Sequence, residues 1–510
     1  MKSKLYISIL ATGLLTLGCS KDYLETKPTE FISSGQIIDA SDLNPDILEA
    51  SLRGIYATMY QTGSGGTDLD HDDFGQKGYD IYGDMLSSDM ALTGTTYGWY
   101  SDLSDMTSTV DYTNINNYKV WRFYYRIILS ANLVIDGIGG NDASLETVAE
   151  QQTMGQAKAA RAYAYFYLAN YFSEGYEPST PILPIHLDTE APNQPLSTAE
   201  EVYNVIITDL IDAVELLEGF SRSAKHEINQ DVARGLLAYA YAATGKDQEA
   251  AVVANKVITN GKFTLMDKAE VTGGFNDVNT NGWMWGVDIT LDNNLDLVSW
   301  WGQIDLFTYS YSWAGDPKVI DVDLYAAIDS TDIRKFQFQG YFEALPENRD
   351  KTEDGTFIDV PVDINELYPT GKFYAPERED GGQRSVITDY VYMRVAEMYL
   401  LHAETAAKSG DEPGARASLK TLLKERLDSD LETAYVDLLS GQALLDEIYL
   451  QTRIEFWGEG KSYLAMKRNK ATITRGANHL SSAGASIPYN DDRLSFKIPQ
   501  SEIQNNPNIN

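Results

Sequence analysis

The sequence predicts a mostly α-helical protein, in which helical hairpins form a scaffold and long loop-rich insertions carry short strands. Three observations predict it. Apolar residues recur at three-and-four spacing over several long segments, one helix–turn–helix pattern occurs twice, and the stretches between these segments lack helical periodicity. At 510 residues, 43% hydrophobic and 23% charged, the chain is long enough for two or three units of ordinary size.

Helical patterning begins near Ile47. Residues 117–138 and 150–172 follow, the second with Met154, Ala157, Tyr165, Leu168 and Phe172 on one stripe and Arg161 as its polar member. Residues 197–218 open with Ser197 and Glu200 at the spacing of a capping box. They continue through Val202, Val205, Ile206, Leu210, Val214 and Leu217, a further helix. The repeat appears when 228–260 is laid on 393–424: Ala238, Gly245 and Ala250 have the separations of Ala403, Gly410 and Ala415, with Val257 and Leu422 in matching places. Small residues there let two antiparallel helices approach closely, as in the tetratricopeptide unit of roughly 34 residues.

The insertions, 62–116 and 262–386, are rich in Gly, Asp, Asn, Tyr and Trp, with short strand-like runs such as Trp283 to Ile289. Loops of this length are usually functional, and their aromatic content argues against disorder. Two clusters stand out: Tyr97, Trp99 and Tyr100 in the first insertion, and Trp300, Trp301, Tyr309, Tyr311 and Trp313 in the second. Adjacent aromatics on an extended segment point to opposite faces, so each cluster is expected to expose at least one ring. Flat rings cover the C–H face of a pyranose, and the tyrosine hydroxyl reaches its polar edge. Tyr163, Tyr165, Tyr167 and Tyr171, on a helix, read as packing instead.

The charge is lopsided, 40 Lys+Arg against 75 Asp+Glu, for a formal −35. A polyanion needs a basic footprint, so nucleic acid and bare anionic membrane are poor partners. The single cysteine, Cys19, excludes an internal disulfide and any multi-thiolate metal site. It follows Lys2, Lys4 and an apolar run from Leu5 to Leu17 that is too short to span a bilayer but suits a secretory signal. Leu17-Gly18-Cys19 resembles a bacterial lipobox, which makes 1–18 a lipoprotein signal peptide, Cys19 the lipid attachment point and 19–45 a tether and entry segment. The mature chain would then lose two lysines and no acid, for −37.

Catalytic signatures are absent: there is no G-x-S-x-G, no H-E-x-x-H and no phosphate-binding Gly-x-x-x-x-Gly-Lys loop. His71, His186, His226, His402 and His479 are scattered and read as structural or solvated. Asp277, Asn279, Asn281 and Asp288 match the oxygen spacing of a calcium loop, with Asp for the usual Glu. An Asn-Gly turn explains the same residues, so structural calcium is an option and no cofactor is required. The acidic run Asp68, Asp70, Asp72, Asp73 reads as a solvated loop.

Six segments in order carry a family resemblance that extends from Cys19 nearly to the C-terminus: CSKDYLETKPTEFIS at 19–33, WRFYYRIILSANLVID at 121–136, GQAKAARAYAYFYLANYF at 155–172, LSTAEEVYNVIITDLIDAVELL at 196–217, VYMRVAEMYLLHAETAAKSGD at 391–411 and EFWGEGKSYLAMKR at 455–468. The ending FKIPQSEIQNNPNIN adds to them. The chain resembles the SusD/RagB family of outer-membrane nutrient-binding lipoproteins of Bacteroidetes. It departs from the family pattern at Thr452-Arg453, where Glu-Arg is usual, and at Ser462 and Ala465, where Arg and Asp are usual. The resemblance implies an N-terminal SusD-like helical region at 46–261 and a C-terminal RagB/SusD region at 262–510 that includes the insertion 262–386. It also implies non-catalytic cell-surface binding of an oligosaccharide or polysaccharide, delivered to a SusC-like TonB-dependent outer-membrane transporter. Peptide or glycopeptide capture is the alternative within the family, and a secreted glycoside hydrolase the one outside it.

Overall fold

The computed structural model describes residues 34–41, 46–68, 70–339 and 363–509. The expected signal at 1–18, Cys19 and part of the second insertion lie outside these residues. Among the described residues, no helix is long and apolar enough to cross a membrane.

The scaffold is a run of packed helices. Ile115–Ile138 packs on Val148–Tyr171, which packs on Ala199–Leu216 and so on through Gln230–Ala243, Asp247–Thr259, Val395–Lys408 and Glu412–Lys424. The two repeated hairpins stand where the spacing places them. Ala238, Ala250, Ala403 and Ala415 are fully buried between helices, and Gly245 and Gly410 turn the chain with φ of 71° and 94°, a region that side-chain-bearing residues avoid. The 132-odd residues between the hairpins do not separate them, because Asp247–Thr259 packs directly on Val395–Lys408. One core therefore crosses the 261/262 boundary. Tyr163, Tyr165, Tyr167 and Tyr171 are all buried, Tyr167 stacked on Tyr124 with rings 7° apart.

Three features of the helices differ from the sequence reading. The capping box is formed by Thr198 and Glu201, one residue later than Ser197 and Glu200; Ser197 and Thr198 both end a short strand, opposite Leu183 and Pro181. Ser34–Ser41, within the expected tether, is a helix packed on Ile115–Ile138 and is too short for its period to be read. Gln76–Leu86, inside the first insertion, is a helix with every residue buried. Its polar side chains Gln76, Lys77, Asp80 and Asp84 are buried along with its apolar ones.

Among the described residues, four two-stranded antiparallel sheets pin the loops. Trp283–Val287 pairs with Tyr390–Arg394, and Met90–Leu92 with Lys318–Ile320. The second pairing joins the two insertions, with Met90 opposite Ile320 and Leu92 opposite Lys318.

Charge is buried where the C-terminal half closes. Glu455 Oε1 accepts hydrogen bonds from Arg394 Nη1 at 2.9 Å and Arg426 Nη2 at 2.8 Å, and Oε2 accepts from Arg426 Nε at 2.9 Å and Arg334 Nη1 at 3.1 Å. Glu459 accepts from Arg394 Nε at 2.8 Å and Lys372 Nζ at 2.9 Å. Burial alone would raise these carboxyls, but the cations outweigh it: Arg394 and Lys372 hold Glu459 down to about 2, and Glu455 lies well below its ordinary value. Glu404 is likewise held at about 2 against burial by Arg468 and Lys408. A carboxyl depressed in the folded state contributes stability that is present above its unfolded value of 4.5 and lost as pH falls toward the folded value. The urea midpoint is therefore expected to fall steadily as pH drops from 4.5 toward 2; a flat midpoint over that window would refute the ion-pair account.

Candidate ligand-binding surface

The two aromatic clusters, distant in sequence, meet on one surface, and the Met90–Leu92 pairing with Lys318–Ile320 brings them together. Continuing that ladder, Thr96 N–H donates to Gly315 O at 3.3 Å. Position 315 needs glycine, since φ is 117° and a Cβ would fall 2.3 Å from Thr96 Oγ1. Asp316, wholly buried, then fixes the first cluster: its Oδ1 accepts the Tyr97 N–H at 2.8 Å and its Oδ2 the Trp99 N–H at 3.1 Å.

Tyr97 is 61% exposed and Trp99 half-buried. Tyr311 supports both, with its ring centroid 5.3 Å from Tyr97 and 5.8 Å from Trp99 in edge-to-face contact. His71 stacks on Trp99 at 5.2 Å with 13° between planes, and its Nδ1 shares a hydrogen bond with the Tyr311 hydroxyl. On the same Tyr309–Trp313 turn a second pair reaches solvent: Tyr309 is 38% and Trp313 40% exposed, with centroids 5.1 Å apart. Trp313 Nε1 donates to Asp380 Oδ1 at 2.5 Å, and the Arg384 guanidinium lies 4.1 Å from the Tyr309 ring centre.

Beneath the surface is a buried polar support. Lys318 Nζ donates to Gln303 Oε1 at 2.5 Å and to Asp316 O at 3.0 Å, and Gln303 Nε2 donates to His71 O at 3.0 Å. Burial pulls Lys318 down to about 7, against the pull of Asp316 and Asp72. Asp316 and His71 are thus tied to the same support.

Of the eight aromatic residues expected to contact ligand, Tyr97, Trp99, Tyr309 and Trp313 present ring surface, and Tyr311 is 8% exposed as their support. Trp300, Trp301 and Tyr100 are corrections, each at most 2% exposed. Residues Trp300–Ile304 are a helix turn rather than an extended segment, so the argument from alternating faces does not apply. Trp300 packs edge-on to Trp301 and Phe373, and Trp301 Nε1 donates to Asp389 O at 3.3 Å. Tyr100 turns inward in the left-handed region, φ 68°, under the Lys318 amine.

Other expectations change as well. Asp72 and Asp73 are buried rather than solvated: Lys119 and the Tyr82 hydroxyl hold Asp72, and Asp73 accepts Gly65 N–H at 2.8 Å. At the calcium-like spacing, Asp277 Oδ1 accepts the Asn279 N–H at 2.8 Å and its side-chain amide at 3.0 Å, while the Asn281 amide donates to Glu270. This is a turn stapled by its own side chains. Among the described residues no group of three or more His, Cys, Asp or Glu side chains is gathered to hold a metal ion. The sequence reading missed His71, Asp316 and Arg384. No spacing could reveal them, because each gains its role through a residue far away in the chain.

A helical-hairpin scaffold that presents exposed aromatic rings on long loops defines a binding protein with a loop-built face. Two family models match, "Starch-binding associating with outer membrane" over residues 49–243 and "SusD family" over 363–510. The chain belongs to the SusD/RagB family. A "SusD-like protein" from Bacteroides ovatus is 27% identical over 248 residues, 48% of this chain and 40% of that protein, so the match spans less than half the length of this curated relative. A solved SusD-like carbohydrate binding protein from Bacteroides vulgatus is 26% identical, with a TM-score of 0.73 and coverage of 94% of this chain and 98% of that one. Surface glycan-binding protein A from Bacteroides thetaiotaomicron, solved with laminarihexaose, shares the fold at 15% identity and a TM-score of 0.68, covering 91% of this chain and 98% of that one.

Proposed function

We propose that this protein is a non-catalytic, cell-surface binder of an oligosaccharide or polysaccharide, lipid-anchored in the outer membrane through Cys19, which delivers its ligand to a SusC-like TonB-dependent transporter. The observation that carries the binding half is the convergence of Tyr97, Trp99, Tyr311 and His71 from separate insertions onto one exposed surface. Rings braced edge-to-face by Tyr311, on a backbone fixed by the buried Asp316, lose little freedom on binding, which is what a stacking platform for sugar rings needs. Family membership and the carbohydrate-binding relatives support the ligand class. Attachment and delivery rest on the lipobox-like Leu17-Gly18-Cys19 and on the family.

A glycan array on the purified protein, with a peptide panel beside it, tests the ligand class; binding only to peptides would replace glycan capture with peptide capture. Against whichever glycan binds, Trp99→Ala is expected to weaken affinity about ten- to a hundredfold, a typical cost for an aromatic anchor. Its thermal unfolding should stay close to wild type, since the ring is partly solvated. Wild-type affinity in Trp99→Ala would remove this surface from the reading. The reading requires no cofactor, so EDTA should leave the titration unchanged; a loss would return Asp277, Asn279, Asn281 and Asp288 to attention as a calcium site.

A further inference from the structure

The strongest feature outside the aromatic surface is a cavity of about 270 Å³ among the C-terminal end of Val148–Tyr171, the turn of the Gln230–Ala243/Asp247–Thr259 hairpin and the Lys461–Arg468 helix. None of the aromatic-surface residues lines it. Four basic side chains do, Lys408, Lys467, Arg468 and Lys470, against a single acid in the lining, Asp247, with Glu404 behind it paired to Lys408 and Arg468. In a chain with 40 basic and 75 acidic residues, that composition is inverted.

All four cations are fixed in place, and Lys408, Arg468 and Lys470 keep N–H groups to spare. Arg468, its side chain 6% exposed, gives Nε and Nη2 to Glu404 at 2.7 Å each; its Nη1 has no hydrogen-bond partner among the described residues. Lys408 Nζ donates once, to Glu404 at 2.7 Å, and has two further N–H groups. Lys470 is exposed, 3.5 Å from Glu177. Lys467 is buried and spends its three N–H groups on Ser495 Oγ at 2.7 Å and on the carbonyls of Ser173 and Glu174; burial pulls it down to about 7. Asp247 Oδ1 is buried without a hydrogen-bond partner, and burial raises its carboxyl above the ordinary value. On the wall, Tyr176 and Tyr203 stand edge-to-face at 5.2 Å, apolar surface for a small ring.

We propose that this pocket is a second ligand site, selective for an anionic sugar unit whose carboxylate meets Lys408, Arg468 and Lys470 while its ring lies against Tyr176 and Tyr203. The volume suits one monosaccharide, being below the range of about 300–1,000 Å³ typical of larger ligands. Charge-assisted hydrogen bonds in a partly desolvated pocket supply the selectivity over neutral sugars.

Calorimetry at low ionic strength tests it, with D-glucuronate as probe, D-glucose as the neutral control and inorganic sulfate as the bare anion. Glucuronate is expected to bind saturably at millimolar concentration, glucose not to bind at this site, and sulfate to compete. Lys408→Gln with Lys470→Gln should weaken glucuronate at least about tenfold, the size of one lost charge-assisted hydrogen bond. Should the double variant unfold, Lys470→Gln alone gives the same test at an exposed position. Trp99→Ala should leave glucuronate binding unchanged, so failure here and failure of the aromatic surface can be told apart. Equal binding of glucose, glucuronate binding unaffected by Lys470→Gln, sulfate binding without glucuronate, or no saturable heat would each overturn the proposal.

Discussion

Glu455→Gln is expected to destabilise the protein by about 3–5 kcal/mol, the usual cost of breaking a buried ion pair from one side. The reason lies in what it would leave behind. Arg334, Arg394 and Arg426 all point at this carboxylate, and all three side chains are within 1% of full burial. Arg334 keeps Asp332, and Arg394 keeps Glu459, but Arg426 has only backbone carbonyls left. A neutral amide of the same shape supplies neither the charge nor four acceptor positions, so guanidinium N–H groups would be stranded without water. The three arginines come from a 3-10 turn, the end of a strand and the segment after a helix, so the change should loosen the whole C-terminal closure. Urea unfolding at neutral pH measures it, and a midpoint equal to wild type would show that the network is dispensable.

Trp301→Ala is expected to cost about 3–5 kcal/mol as well, by opening a cavity in a packed core. The indole has no solvent exposure, meets Trp300 at 5.0 Å, and donates its N–H to the carbonyl of Asp389. That carbonyl belongs to a residue whose carboxylate, pushed up to about 6 by burial, accepts the backbone N–H groups of Val278 at 2.6 Å and Ile289 at 2.8 Å. Losing the indole would therefore loosen three segments at once. Trp313→Ala, twelve residues on, removes a ring that is 40% exposed and should cost far less stability. Thermal melts of the two variants side by side settle the matter: similar melting temperatures would mean that Trp301 is not a core residue.

The contrast between these tryptophans shows what was legible beforehand. That the insertions carry aromatic clusters is plain in the sequence, and four of the eight residues do present ring surface. Which four is not, because the face a ring takes depends on whether its segment is helical, and helices of four or five residues have no readable period. Tyr100 and Trp99 are neighbours with opposite fates, decided by one left-handed backbone torsion. The long helices and the repeated hairpins were readable because their apolar stripes and small residues recur. Gln76–Leu86 was not: Gly78 and Gly83 interrupt its eleven residues, and it lies within a stretch rich in turn formers.

By itself, the sequence determined the helical-hairpin scaffold, the long aromatic insertions, the acidic balance and the family, because periodicity, composition and motif are local properties that survive without coordinates. The tertiary structure decided which aromatics reach water, that His71 and Asp316 complete their surface, and that four cations gather around one cavity. Each of these depends on contacts between residues up to a few hundred positions apart, set by strand register and helix packing, and no local pattern encodes such contacts.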